Sequence, residues 1–346
     1  MYFNVDNDTG SRVEGYIVPD SYSDQPAFYV TDGSNEIYRD DCTVFHPAIV
    51  NAGRHQTGYV GFILTEEQIP GLSTLTTLAI FDAKTHILIY RRFNQLAHLN
   101  KRVLRLETQF LPQANFDLSL KPYFQYWVPA IEQYGHESIT QMFHLTEYPS
   151  FYVSGRILVR NFEPFFGADL TTIVSFRKPF YELAIRLLYL SQYRKNVRRT
   201  LSQRDEMIFA EAIDYFSDMN FRDEKSVKDK ILNAPKHVLA QFQSPFTTQL
   251  STKAPGDKLN AASVSQSIST LSQFNLFCPH EDTPDFAEDF AEMLGIPPNV
   301  IRMQLAQKEF SQFADFLSTI GPLEQVLQDD LILYHYVQEA VLKAAS

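Results

Sequence analysis

Ile173-Val174-Ser175-Phe176-Arg177-Lys178-Pro179-Phe180-Tyr181-Glu182 is the stretch on which the reading of the fold turns. Thr172–Phe176 is a short apolar run rich in β-branched residues, as a strand buried on both faces would be. Pro179 follows, at a place where a helix loses little by a missing amide donor. From Phe180 to Arg194 apolar residues return at helical spacing. Strand, proline and helix in this order predict one unit of an α/β layer structure, and Val103–Glu107 reads as a second buried strand with a helix candidate behind it.

Outward from this core the pattern changes in both directions. Beyond residue 205 the spacing predicts helices over Asp205–Phe216, Glu224–Leu232, Asp285–Leu294, Val300–Ser311 and Gly321–Ala345, with Pro284, Pro297 and Pro298 near starts. Ser251–Ser272 is rich in Ser, Thr, Ala and Gly, and its first half predicts a loop. Toward the N-terminus, Val13–Val18, Ala27–Thr31, Tyr59–Leu64, Leu75–Phe81 and His86–Arg91 are short β-rich runs separated by turn residues, and Asp32-Gly33 is a hairpin signal. Two domains are therefore predicted: a β-sandwich over 1–95, and an α/β domain with a helical C-terminal half over 96–346. No internal repeat is visible.

Composition narrows the function classes. The chain has 346 residues, 45% hydrophobic and 21% charged, which excludes disorder as a description of the whole. Its net charge of −11 argues against nucleic acid as a partner, since phosphate binding leaves a basic footprint. The charge is segregated: Lys+Arg against Asp+Glu is 6 to 12 over 1–95, 14 to 9 over 96–205 and 10 to 20 over 206–346. An anionic ligand is thus to be sought on the middle segment. Cys42 and Cys278 are the only cysteines, which leaves no disulfide framework or multi-cysteine metal site and fits a reducing compartment. With no leader pattern at Met1 and no long apolar run, the expectation is a soluble, cytoplasmic protein without a transmembrane segment.

Signatures for a phosphate-binding Gly-rich loop with Lys, for a dinucleotide fingerprint, for a nucleophile elbow and for a zinc helix are all absent, and His136-Glu137 stops short at Thr140. Asn4, Asp6, Asp8 and Gly10 resemble a calcium loop with the glycine displaced and no closing Glu, and are read as a solvated turn. Cys278, His280, Glu281 and Asp282 are read as a strand end and loop, so no metal is predicted. The aromatic run Tyr123-Phe124-Gln125-Tyr126-Trp127 is read as core, with Trp127 as the residue placed to line a cleft.

Taken in order, residues 103–346 resemble the carbohydrate sulfotransferase family, which transfers a sulfuryl group from the nucleotide PAPS to a hydroxyl. The strand and helix around Arg177 look like that family's strand, Leu-Arg-Asp-Pro and helix. Ser244-Pro245-Phe246-Thr247-Thr248-Gln249-Leu250 is similar to its Asn-Pro-Gln-Thr-Arg-x-Leu segment, Phe274–Gly295 with Glu281 to its strand-Gly-Leu-Thr-Glu segment, and Asp330-Leu331-Ile332-Leu333-Tyr334 to its closing Asp-x-x-Leu-Tyr. The resemblance implies a sulfotransferase-like (P-loop-like) parallel sheet with helices, PAPS or PAP as cofactor, and a glycan or glycoconjugate acceptor as partner. It also implies Arg177, Gln113, Asn115, Arg156 and Thr248 as cofactor-binding positions. Arg177 matches the arginine that holds the 3′-phosphate. Three positions depart from the pattern. Gln113 stands where a lysine holds the 5′-phosphosulfate, in Glu107-Thr108-Gln109-Phe110-Leu111-Pro112-Gln113-Ala114-Asn115-Phe116, which also lacks the family's glycines. Ile185 replaces a serine, and Gly155-Arg156 stands where a Gly-His pair is often found. A neutral amide does not replace a point charge on a transferring group. The N-terminal segment resembles small β-domains of bacterial surface-glycan enzymes through Gly15-Tyr16, Phe45-His46-Pro47, Gly53, Gly61-Phe62, Asp82 and Arg91-Arg92.

Three functions follow as expectations. The first is a sulfotransferase-like protein of glycan or polysaccharide modification or biosynthesis, degenerate at the phosphosulfate loop. The second is a catalytically inactive glycan-binding or scaffold protein of the same fold. The third is a glycosyltransferase, suggested by Asp6-Asn7-Asp8 and the N-terminal resemblance.

Overall fold

Thirteen strands run β1 (Tyr2–Asp8), β2 (Arg12–Val18), β3 (Ala27–Asp32), β4 (Asn35–Asp41), β5 (Val44–Phe45), β6 (Tyr59–Thr65), β7 (Leu78–Asp82), β8 (Leu88–Arg91), β9 (Arg102–Leu106), β10 (Tyr126–Val128), β11 (Phe151–Gly155), β12 (Leu170–Ser175) and β13 (Leu276–Cys278) among the described residues. The structure is a computed structural model describing residues 1–195, 201–279, 284–304 and 306–344, with Lys195, Gln203, Pro284, Asp285 and Ala344 described by backbone alone. The predicted positions His280, Glu281 and Asp282 lie outside the described residues.

Two compact units divide the chain: Met1–Arg102 with Lys121–Pro129 and Tyr134–Val153, and Val103–Leu120 with Ala130–Gln133 and Ser154–Ser346. Two further pieces of the chain thus group with the N-terminal strands. Hydrogen bonds account for this: Gln125 Nε2 donates to the Arg91 carbonyl at 2.7 Å, Gln141 Nε2 to that of Phe3 at 2.9 Å, and the Met1 amine to Ser138 Oγ at 3.1 Å.

In the first unit the antiparallel sheets β1-β2-β6-β5 and β4-β3-β7-β8 bury one face each. Alternation does this: Phe3, Val13, Ile17, Phe62 and Leu64 point inward, and Phe28 of one sheet meets Phe62 of the other at 4.8 Å between ring centroids. The predicted hairpin joins β3 to β4 with Gly33 at φ +59°, a backbone that side chains resist. β1 and β4 escape sequence reading because Asn and Asp alternate along β1 and the sheet-edge strand β4 exposes most of its residues.

The third sheet has the order β10-β11-β9-β12-β13, with β10 parallel to β11 and β12 to β13. Counted from its first strand the order is 2-3-1-4-5, so the chain reverses its direction of build around β9. In open α/β sheets of this kind ligands bind outside the carboxyl ends of the strands at such a reversal. Helix Pro179–Gln192 follows β12 as the sequence predicts, burying Leu183, Leu187 and Leu190 in a cluster with Phe110, Phe216, Phe242 and Leu317. Burying one such side chain contributes about 1.5–3 kcal/mol.

The predicted helix Val300–Ser311 is instead a 3-10 turn at Pro298–Val300 followed by a helix at Lys308–Ser318, because Ile301 is extended at ψ 120°. Asp330, fully buried in helix Gln328–Ala344, accepts from the Thr247 amide at 2.7 Å and from the Phe246 amide at 3.1 Å. It thereby ties down helix Pro245–Ser251, linking two of the segments that carried the resemblance. Burial pushes its pKa up to about 7, against the lowering effect of those amides.

Candidate functional site

Three strand ends meet at the point of reversal in the second unit. β9 runs into Glu107, β11 into Gly155-Arg156 and β12 into Phe176-Arg177, so segments well separated in sequence are brought to one edge of the sheet. The Glu107 amide donates to the Gly155 carbonyl at 3.0 Å, and Thr108 Oγ1 donates to the Ser175 carbonyl at 2.6 Å.

The loop from Glu107 to Gln113 has the outline of an anion cradle, and its own first side chain fills it. Glu107 Oε1 accepts from the Gln109 amide at 3.0 Å. Its Oε2 accepts from the Gln113 amide at 2.9 Å and from Arg105 Nη2 at 2.9 Å. Arg105 also grips Asp117, through Nε and Nη2 at 3.2 Å each, and lies over the Phe116 ring. Glu107, Arg105 and Asp117 are all buried, so the group is a closed ion cluster in the protein interior. Charge-assisted bonds of this kind are short and roughly twice as strong as neutral ones.

The predicted cofactor-binding residues separate into two sets. Gln113 is buried, donating through Nε2 to Gln109 Oε1 at 3.2 Å while its Oε1 accepts from the Gln304 amide at 3.0 Å. Arg177 is buried too, donating from Nη2 to the Gln304 carbonyl at 2.9 Å and lying over the Tyr181 ring. Asn115 is exposed on helix Ala114–Leu120. None of these three lines the large cleft of this unit. Arg156 and Thr248 do, in a space of about 630 Å³ whose wall also holds Glu132, Arg186, Asp205 and Gln249. That volume is in the range of small-molecule sites.

Arg156 is the centre of the wall. Its Nη2 meets Asp205 Oδ2 at 2.5 Å and its Nε lies 3.7 Å from Glu132 Oε1. The Glu132 carboxylate also accepts from the Arg156 amide at 3.0 Å. Gly155 makes this seating feasible, since a Cβ there would stand 2.5 Å from Glu132 Oε2. Burial raises the Glu132 pKa, with Arg156 opposing. Burial disfavours the charge of Arg156 itself, but Asp205 and Glu132 more than offset this and its pKa lies above the ordinary value. Phe110, from the cradle loop, lies under both the Arg156 and the Arg186 guanidinium at 5.4 Å, and Arg186 donates to Glu182 at 2.9 Å. The loop thus shapes the cleft from below: Gln249, on the wall, donates to the Glu107 carbonyl at 2.8 Å.

Sequence reasoning missed Glu132, Arg186, Arg204, Asp205 and Lys258 on this wall. The excess of cations over 96–205 was the one signal available for Arg186 and Arg204, and it named a segment rather than residues; Lys258 lies in the acidic segment 206–346 and had none. In the first unit, the Asp8 carboxylate of the Asp6-Asn7-Asp8 run is engaged by Arg92 at 2.7 and 2.9 Å and by the Tyr90 hydroxyl at 2.9 Å. Lys121 lies over the half-buried Trp127 ring at 5.5 Å. Among the described residues no group of His, Cys, Asp and Glu is arranged to hold a metal, and no helix is long and apolar enough to cross a membrane. Comparison with family models and with curated proteins finds no match to this chain.

Proposed function

We propose that this chain is a ligand-binding protein built on a sulfotransferase-like sheet, taking a glycan-type anion in its cleft without transferring a sulfuryl group. The observation that carries the reading is the Glu107 carboxylate on the amides of Gln109 and Gln113, where a phosphosulfate would have to lie. A second anion brought to those amides meets a buried carboxylate, and like charges at contact distance repel strongly in a low-dielectric interior.

The residues present do not fit PAPS. Gln113, in place of a lysine, carries no charge to stabilise a leaving phosphate, and both ends of its side chain are already bonded within the protein. Arg177, the matching position for the 3′-phosphate, is buried with a guanidinium nitrogen on the Gln304 carbonyl. The order 2-3-1-4-5 and the cleft beside the β11 end support a binding role for the same edge of the sheet.

The test is calorimetric titration of the full chain with PAP, PAPS and acidic sugars. The reading expects heat from the sugars and none from either nucleotide. Saturable PAP binding that is lost in Arg177→Gln would restore the transferase reading in its place.

A further inference from the structure

Resting on the reading that the cleft rather than the loop takes the ligand, we propose that Arg204 and Lys258 form its anion subsite. The ligand is then a monosaccharide-sized polyol bearing one acidic group, a carboxylate or a phosphate.

Charge accounting on the cleft wall leads there. Four cationic side chains, Arg156, Arg186, Arg204 and Lys258, face three carboxylates, Glu132, Asp205 and Asp257. All three carboxylates are engaged within the protein: Glu132 and Asp205 by Arg156, and Asp257 by the amides of Lys253 and Ala254 at 3.0 and 2.9 Å. Arg186 is engaged by Glu182 at 2.9 Å. Arg204 and Lys258 have no hydrogen bond or ion pair among the described residues, so they are the two cations of the wall that no carboxylate holds directly. Arg156, which sequence reading named beside Arg177 and Thr248 as an anion contact, is already held between two carboxylates and serves as wall.

The remaining groups select a hydroxyl-rich body. Gln243, Gln249 and His237 present amide and imidazole groups to the same space. Such groups donate to and accept from hydroxyls, and the guanidinium fork of Arg204 matches the planar carboxylate or a phosphate face. Ile208 and Phe209 line the cleft as well, giving an apolar face for a sugar ring.

Calorimetry on the full chain with glucuronate, glucose 6-phosphate, glucose and inorganic phosphate tests this. One or both acidic sugars bind at least tenfold more tightly than glucose and than inorganic phosphate, and the arm that binds names the acidic group. The preference weakens as salt is raised, as screening of partly exposed charges requires. In the double variant Arg204→Gln, Lys258→Gln the preference over glucose falls to within twofold while the melting temperature is unchanged. The proposal is overturned if glucose matches the acidic sugars, if inorganic phosphate matches the sugar phosphate, if none of them binds, or if the preference survives in the double variant. PAP titrated in parallel separates the two claims: PAP binding lost in Arg177→Gln sinks the closed-loop reading, whereas acidic sugars whose preference survives in the double variant, with silence from PAP, sink this one alone.

Discussion

The loop Glu107–Gln113 and the cleft wall around Arg156 use the same parts, carboxylates set against guanidinium groups and backbone amides, and end in opposite states. In the loop one arginine, Arg105, serves two buried carboxylates, and the amides that would hold a ligand hold Glu107. On the wall Arg156 likewise serves two carboxylates, yet Arg204 and Lys258, which line the same cleft, have no hydrogen bond or ion pair among the described residues. The difference teaches that an anion site is closed or opened by which cations are left without a direct partner, and that the outline of a cradle does not decide it. Closing the loop also has a use, because its Phe110 lies under both cleft arginines.

The sharpest way to break the comparison is to take the internal anion away. Glu107→Gln takes one carboxylate from Arg105 and leaves one loop amide badly matched, and breaking a buried pair costs about 3–5 kcal/mol. The melting temperature should fall by roughly 10 °C. A fall below about 2 °C in a thermal melt would mean that the carboxylate does not hold the loop.

Asp330 offers the next largest effect, this time through pH. Its pKa is raised by burial to about 7, so the folded state keeps a proton that the unfolded state releases near its ordinary value of 3.8. The contribution is therefore full below that value and is lost as pH rises through about 7, a range worth a few kcal/mol. Asp330→Asn should flatten this slope in denaturant titrations between pH 5 and 8; an unchanged slope would show that the anchor of helix Pro245–Ser251 titrates normally.

On the cleft side, Gly155→Ala places a Cβ against Glu132 and should cost about 1–3 kcal/mol as overpacking does. Ligand affinity should fall with it, because Arg156 loses its seat. If Glu132 swings away without penalty, the alanine variant melts like the parent and the wall is less fixed than described. The smallest effect is the most diagnostic: Arg204→Gln alone should leave stability within about 0.5 kcal/mol, since it breaks no internal bond among the described residues. A larger loss in chemical denaturation would mean that Arg204 is structural.

The fold was legible where burial dictates spacing. Thr172–Phe176 and Phe180–Arg194 read correctly because a doubly covered strand and a packed helix leave unmistakable apolar periods, and helix Glu224–Leu232 matches to the residue. Strands at an edge did not, since β4 exposes polar side chains whose pairing is set by the partner strand. The site was legible only as strand ends. Spacing along the chain brings Glu107, Gly155 and Arg177 to one edge once the sheet order is known, but it does not tell that Glu107 turns back into its own loop. Nor does it tell that Asp205 crosses to Arg156, 49 residues away in sequence, while Arg204 next to it stays unpaired among the described residues. Those choices are made by tertiary packing.

The central claim, that the loop is closed on Glu107 and the cleft carries the binding, is tested most directly by a thermal shift with PAP at millimolar concentration. A ligand at a hundredfold its dissociation constant stabilises by about 2.7 kcal/mol, which is a readily measured rise of several degrees. The account predicts no rise with PAP and a rise with glucuronate or glucose 6-phosphate. A saturable rise with PAP, lost in Arg177→Gln and kept in the Arg204→Gln, Lys258→Gln variant, would contradict it.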